Sequence, residues 1–218
     1  MVAMGSAGRS GSGFSDSYVI RYIQKKKEEE LLRPSQITDW CHEIIRSQAA
    51  AGGFYIDATM GNGKDTLMLC TLAGKAGSVL AFDIQDTALQ ATQRLLKEQG
   101  CLERASLIKD GHEHMDLYAG EGTADVICFN FGYLPGGSHH ISTRATTSVK
   151  AIQKGLKILK KGGMMSLCIY SGGDTGFEEK ERILDYLREL PARKYTVIVN
   201  AYYNRANNPP IPAFIFKN

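Results

Sequence analysis

Short apolar runs alternate with longer amphipathic stretches along most of this chain, and that alternation constrains the fold more than any other feature. Strand-like runs fall at 54–57, 78–83, 105–108, 124–130, 163–170 and 195–200, with a last one at 213–217. Helical stretches over 64–73, 86–99, 143–160 and 176–189 fill most of the gaps. Runs such as ADVICF are nearly continuous in apolar residues, as strands covered on both faces are. Strand–helix alternation of this kind predicts a parallel sheet with helices on both sides. The end breaks the pattern. Residues 195–200 lead through AYYNRANNPPIP into the last strand with no helix between them. A connection that short suits an antiparallel pair, not a right-handed crossover.

The remaining chain sets the boundaries. Residues 1–16 are rich in Gly and Ser and predict a disordered tail. Residues 17–34 predict a charged helical extension, with KKKEEE as a solvated face. The catalytic domain is expected over 35–218, entered by a helix in which Ile37, Trp40, Cys41, Ile44 and Ile45 recur at helical spacing. Gly52 and Gly53 stop that helix. The 26 basic and 23 acidic residues nearly balance, which neither demands nor excludes a nucleic-acid partner. No apolar run approaches the ~18 residues of a membrane span, and no signal peptide is legible, so a cytoplasmic location is expected. The five cysteines, at 41, 70, 101, 128 and 168, form no CxxC pair and read as buried reduced thiols. His112 and His114 lie two apart with no third ligand nearby, so no metal is expected.

The stretch YIDATMGNGKDT, residues 55–66, fits strand, turn and helix. Gly61 and Gly63 permit backbone angles that other residues resist. The free amides of the following helix attract anions and carboxylates. Asp83 ends the next strand, VLAFD, where nucleotide-binding sheets place a carboxylate against ribose hydroxyls. A dinucleotide fingerprint needs a third glycine where this chain has Thr66. Asp57 before the turn would repel a pyrophosphate but suits a cationic ligand. S-adenosylmethionine carries an ammonium, a carboxylate and a sulfonium. Asp57 for the amine, turn amides for the carboxylate and Asp83 for the ribose match it. With the terminal hairpin, the whole resembles an α/β, Rossmann-like class I methyltransferase with a doubly wound sheet of seven strands.

Ligands of open α/β sheets bind beyond the carboxyl ends of the strands. The third strand ends at LIKDGHEHMD, which puts Asp110, or Gly111 with His112, near the adenine. The fourth ends at Asn130-Phe131-Gly132-Tyr133, which resembles the (Asp/Asn)-x-x-(Tyr/Phe) element of amino methyltransferases. A nitrogen nucleophile needs an acceptor to aim its lone pair, which an Asn carbonyl supplies. An aromatic can stack on a base. An alkylamine must also lose a proton, and His139, His140 or Asp110 could take it. Lys150, Lys154, Lys157 and Lys161 form a basic stripe that reads as a solvated face, opposite the core stripe of Val149, Ile152, Leu156 and Leu159.

Taken in order, IDATMGNGKDT, AFDIQ, KDGHE, NFGYLPGG and NRANNPP resemble the YtqB-like family over roughly residues 36–218. The resemblance implies methylation of the amine of 5-aminomethyluridine, or its 2-thio form, at the wobble position of tRNA, with S-adenosylmethionine as donor. It implies a cofactor site of Asp57, Thr59, Gly61, Asn62, Gly63, Lys64, Asp83, Gln85, Gly111 and His112. It puts Asn130, Tyr133, Pro135, Asn204, Asn207, Asn208 and Pro209 on the tRNA side; His139 enters as a catalytic candidate only through the proton transfer above. It also allows a homodimer. Lys64 stands where the family usually has His, and Gly111 where it often has Ser. Methylation of rRNA or of a small molecule, and RNA binding without turnover, are the competing readings.

Overall fold

The structure is a computed structural model that describes residues 37–132, 143–171 and 173–218. The expected tail at 1–16 and extension at 17–34, and the candidate residues Tyr133, Pro135, His139 and His140, lie outside the described residues.

Among the described residues, five α-helices and seven strands follow one another as α1 (Ile37–Gln48), β1 (Phe54–Asp57), α2 (Lys64–Ala73), β2 (Ser78–Asp83), α3 (Asp86–Glu98), β3 (Ala105–Lys109), β4 (Ala124–Phe131), α4 (Ala145–Ile158), β5 (Leu159–Ile169), α5 (Gly173–Glu189), β6 (Tyr195–Val199) and β7 (Ile211–Lys217). A 3₁₀ turn at His112–Leu117 follows β3. The strands form one sheet in the order β3-β2-β1-β4-β5-β7-β6. The first five pair in parallel. β7 runs antiparallel between β5 and β6, as the helix-free connection predicted.

Both faces of the sheet are covered, which is why the strands read as continuous apolar runs. Successive side chains point to opposite faces. Ile56, Ile127 and Phe129 join one buried cluster with Ile152, Leu156 and Ile183 of α4 and α5. Tyr55, Val126 and Cys128 join the other with Ile45, Leu69 and Leu96 of α1, α2 and α3. All five cysteines are free and buried.

Two details depart from the sequence reading. Trp40, placed on the apolar stripe of α1, is 48% exposed, while Cys41 and Ile45 carry the buried face. β5 begins at Leu159, not at residue 163, and Leu159 is fully buried opposite Ala124. Gly162 at φ 79° lets the strand absorb a register shift between Ala124 and Val126. Lys217 fixes the same corner: its Nζ donates to the carbonyls of Leu156 at 2.8 Å and Leu159 at 2.6 Å, at the open end of α4.

Candidate functional site

The parallel strands bring their carboxyl ends to one edge, and the sheet order reverses between β1 and β4. That edge is where open α/β sheets form their crevice. Asp57, Asp83, Lys109 and Phe131 close β1 to β4 there. Because β7 runs against β5, and β6 against β7, β6 points the same way as the first five strands. The connection from residue 200 to 210 therefore emerges at this same edge. The Ser171 hydroxyl, just past β5, donates to the Asn208 carbonyl at 3.2 Å and ties that connection down.

The turn after β1 is built by backbone contacts. Met60 N–H donates to the Phe82 carbonyl at 2.8 Å, and Gly63 N–H to the Met60 carbonyl at 2.8 Å. Gly61 and Gly63 have φ of 52° and 80°. A Cβ on Gly63 would lie 2.7 Å from Thr92 Oγ1 and 3.0 Å from Thr92 Cα. Gly63 thus lets α2 start against α3, while Gly61 makes the bend. Thr92 in turn donates to the Gly61 carbonyl at 3.2 Å. Asn62 and Lys64 are exposed beside them, and the N-cap of α2 is Gly63, which brings no side chain of its own to that end.

Asp83 holds this turn from the next strand. Its Oδ2 accepts from Gly61 N–H at 3.0 Å, and its Oδ1 from Gln85 N–H at 2.9 Å. Both Asp83 and Gln85 stay partly exposed. Asp57, expected to face the amine of the donor, is fully buried. It accepts from Thr59 N–H at 3.1 Å and from the Thr66 hydroxyl at 2.6 Å. Burial, and then the nearby Asp65 charge, push its carboxyl up to about 7. In this arrangement Asp57 braces the turn from within.

At the end of β3, Asp110 accepts from Gly111 N–H at 2.7 Å and from Tyr118 OH at 3.0 Å, and pairs with His114 Nδ1 at 2.8 Å. The His114 hydrogen bond leads in holding its carboxyl below the usual range. His112 lies edge-on to Phe129 and Phe131, with centroids 6.0 and 6.2 Å away. Burial lowers its pKa, and its Nε2 is buried without a hydrogen-bond partner.

Asn130 stands at the end of β4, partly exposed. Its N–H donates to Thr59 Oγ1 at 2.7 Å, which ties it to the glycine turn. Its side-chain Nδ2 donates to Asp65 Oδ2 at 2.7 Å. Asp65 Oδ1 lies 2.7 Å from Nε2 of His42 on α1. Neither Asp65 nor His42 was singled out from the sequence. They lie 23 residues apart, on two helices that only the fold brings together.

Beyond β4, Gly132 N–H donates to Thr143 Oγ1 at 2.9 Å, and that hydroxyl donates to Glu179 Oε2 at 2.8 Å. Ser148 donates to Glu179 Oε1 at 2.5 Å. Glu179 is buried, and burial raises its pKa. Residues 132 and 143, which flank the undescribed stretch, are thereby held together. In the 200–210 connection, Asn207 and Asn208 have φ of 66° and 47°, a conformation Asn tolerates. Asn204 and Asn207 are exposed, and Pro209 is partly buried. The Arg205 guanidinium lies 4.4 Å from the Tyr202 ring centre, and Tyr203 beside it is fully exposed.

The strand order and the antiparallel β7 are those of the class I methyltransferase fold, and the relatives that follow make this chain an S-adenosylmethionine-dependent methyltransferase. Residues 79–216 match the family model described as "Putative rRNA methylase". The chain belongs to that rRNA methylase family. It is 30% identical over 214 residues to the chloroplastic tRNA (mnm(5)s(2)U34)-methyltransferase of Arabidopsis thaliana, covering 93% of this chain and 76% of that one. A Clostridium thermocellum protein described in the same terms as the family superposes with a TM-score of 0.83 at 41% identity, over 86% of this chain and all of that one. SMU.1697c of Streptococcus mutans, solved in complex with SAH, superposes at 0.76 with 34% identity, over 84% of this chain and 99% of that one.

Proposed function

We propose that this protein methylates the amine of 5-aminomethyl-(2-thio)uridine at the wobble position of tRNA, with S-adenosylmethionine as donor. The observation that carries the reading is Asn130. It is an amide at the crevice end of β4, locked to the glycine turn through Thr59 and still open to an acceptor. The activity for which the Arabidopsis relative is named supports the substrate class.

The residues present fit the donor. Asp83 offers a fixed carboxylate to ribose hydroxyls. The amides at the start of α2 suit a carboxylate. His112 Nε2, buried and unpartnered, suits a polar edge of adenine. When bound, the donor would supply an electrophilic methyl from its sulfonium to the amine, whose nitrogen would then release a proton. The chain's part is alignment and exclusion of water. The Asn130 carbonyl accepts an N–H of a neutral amine and so points its lone pair at the methyl. Asn204, Asn207 and Tyr203, at the same edge, are suited to meet the anticodon loop. The five buried free thiols suit a reducing compartment such as the cytoplasm.

The test is mass spectrometry of tRNA nucleosides from a deletion strain. Aminomethyluridine should accumulate at the expense of its methylated form. Normal tRNA with a missing methyl on rRNA would reject the assignment and favour the activity in the family's description.

A further inference from the structure

Asn130 presents an amide whose two ends look alike in shape and differ in chemistry. Its nitrogen only donates and its oxygen only accepts. Which end faces the crevice decides whether it can receive an N–H from an amine. The side chain is 2.7 Å from Asp65 Oδ2. Asp65 Oδ2 accepts from the amide nitrogen of Asn130, so that nitrogen faces it. The planar amide then turns its oxygen to the opposite side. Asp65 is itself held: its other oxygen lies 2.7 Å from His42 Nε2, with both side chains mostly buried at 14% and 12% exposure. The chain from α1 through α2 to β4 therefore fixes one of two amide orientations.

We propose that Asp65, braced by His42, is a positioning residue that sets the Asn130 carbonyl toward the acceptor amine. Asp65 touches neither reacting atom; it acts through Asn130. The proposal rests on the methyltransferase reading above and adds to it the groups that fix the acceptor's partner. It also separates two neighbouring carboxylates by role. Asp57 is buried and supports the turn; Asp65 serves the fourth strand.

The experiment uses isosteric variants, so that packing is preserved. Wild type, Asp65→Asn, Asn130→Asp and the double variant are assayed for kcat and KM on undermodified tRNA, with donor affinity measured by calorimetry. Asn130→Asp alone sets two carboxylates at hydrogen-bond distance and should lower kcat about 100-fold, the scale of a misplaced group. Asp65→Asn alone replaces a charged acceptor by a neutral one and should lower kcat about tenfold. In the double variant the amide of residue 65 donates to the new carboxylate, so kcat should rise at least tenfold above Asn130→Asp alone. Donor affinity and the KM for tRNA should stay within about threefold throughout. Losses that multiply to about 1000-fold, or a rescue that appears in donor affinity and not in kcat, overturn the proposal while leaving the methyltransferase reading intact. A wild type that binds the donor but methylates no tRNA rejects the substrate reading, and the positioning role with it.

Discussion

The carboxylate of Asp83 accepts the backbone N–H of Gly61 at 3.0 Å, so the end of the second strand holds the turn that follows the first. One side chain thus has two duties: it shapes the turn and faces the crevice.

Replacing it should remove both. Asp83→Ala is expected to weaken donor binding by about 30-fold or more, since hydrogen bonds to a charged group are each worth about 1.5–3 kcal/mol. Calorimetry with S-adenosylmethionine reads this directly. Binding at wild-type strength would show that the ribose is held elsewhere.

Asp57 gives a pH signature. Its folded carboxyl is raised from an ordinary value of 3.8 to about 7, first by burial. A raised pKa means that the folded state holds the proton more tightly. Its contribution is full below about pH 4 and is lost as pH rises through 7. Asp57→Asn should therefore make stability less dependent on pH between 5 and 8, by on the order of 2 kcal/mol relative to wild type. Denaturation with urea at each pH measures the difference. Parallel curves for the two proteins would mean that Asp57 is charged in the folded state.

Gly63 leaves no room for a side chain. At φ 80°, with Thr92 Oγ1 2.7 Å from where a Cβ would stand, Gly63→Ala should cost about 2 kcal/mol or more. Adding Thr92→Ala should recover part of the loss, because it removes the oxygen and leaves the backbone strain. Thermal melts of the single and double variants report this, and an unchanged melting point for Gly63→Ala would contradict the packing.

Tyr203 stands free beside the Arg205–Tyr202 pair. Stacking on an aromatic contributes about 1–3 kcal/mol per base. Tyr203→Ala should raise the KM for tRNA about tenfold and leave donor affinity unchanged. Filter binding with unmodified anticodon stem-loops is the direct measurement; equal affinity for the two proteins would remove Tyr203 from the RNA surface.

The sheet was legible in the sequence because its signal is local. β1 sits between the Gly52-Gly53 stop and the glycine turn, and its predicted limits hold to the residue. The start of β5 was not legible, since Lys160, Lys161, Gly162 and Gly163 look like a turn. Only its pairing with β4 and the Lys160–Asp125 ion pair at 3.0 Å make it a strand. In the site, the placing of Asp83 and Asn130 at strand ends was legible because strand ends can be read. The burial of Asp57 was not legible, because sequence gives a residue's type and not its environment; the Thr66 hydroxyl, nine residues on, donates to it inside the fold. His42 joins Asp65 through helix packing, for which the spacing along the chain carries no mark.

The reversal of β7 has a bearing on how such enzymes diversify. Because that strand doubles back, a single hairpin tip is delivered to the crevice while its two legs stay stitched into the sheet. The tip can lengthen, shorten or change composition with no alteration to the donor half of the molecule. Preference for one acceptor over another can thus shift by editing eleven consecutive positions, 200 to 210, on an otherwise fixed frame.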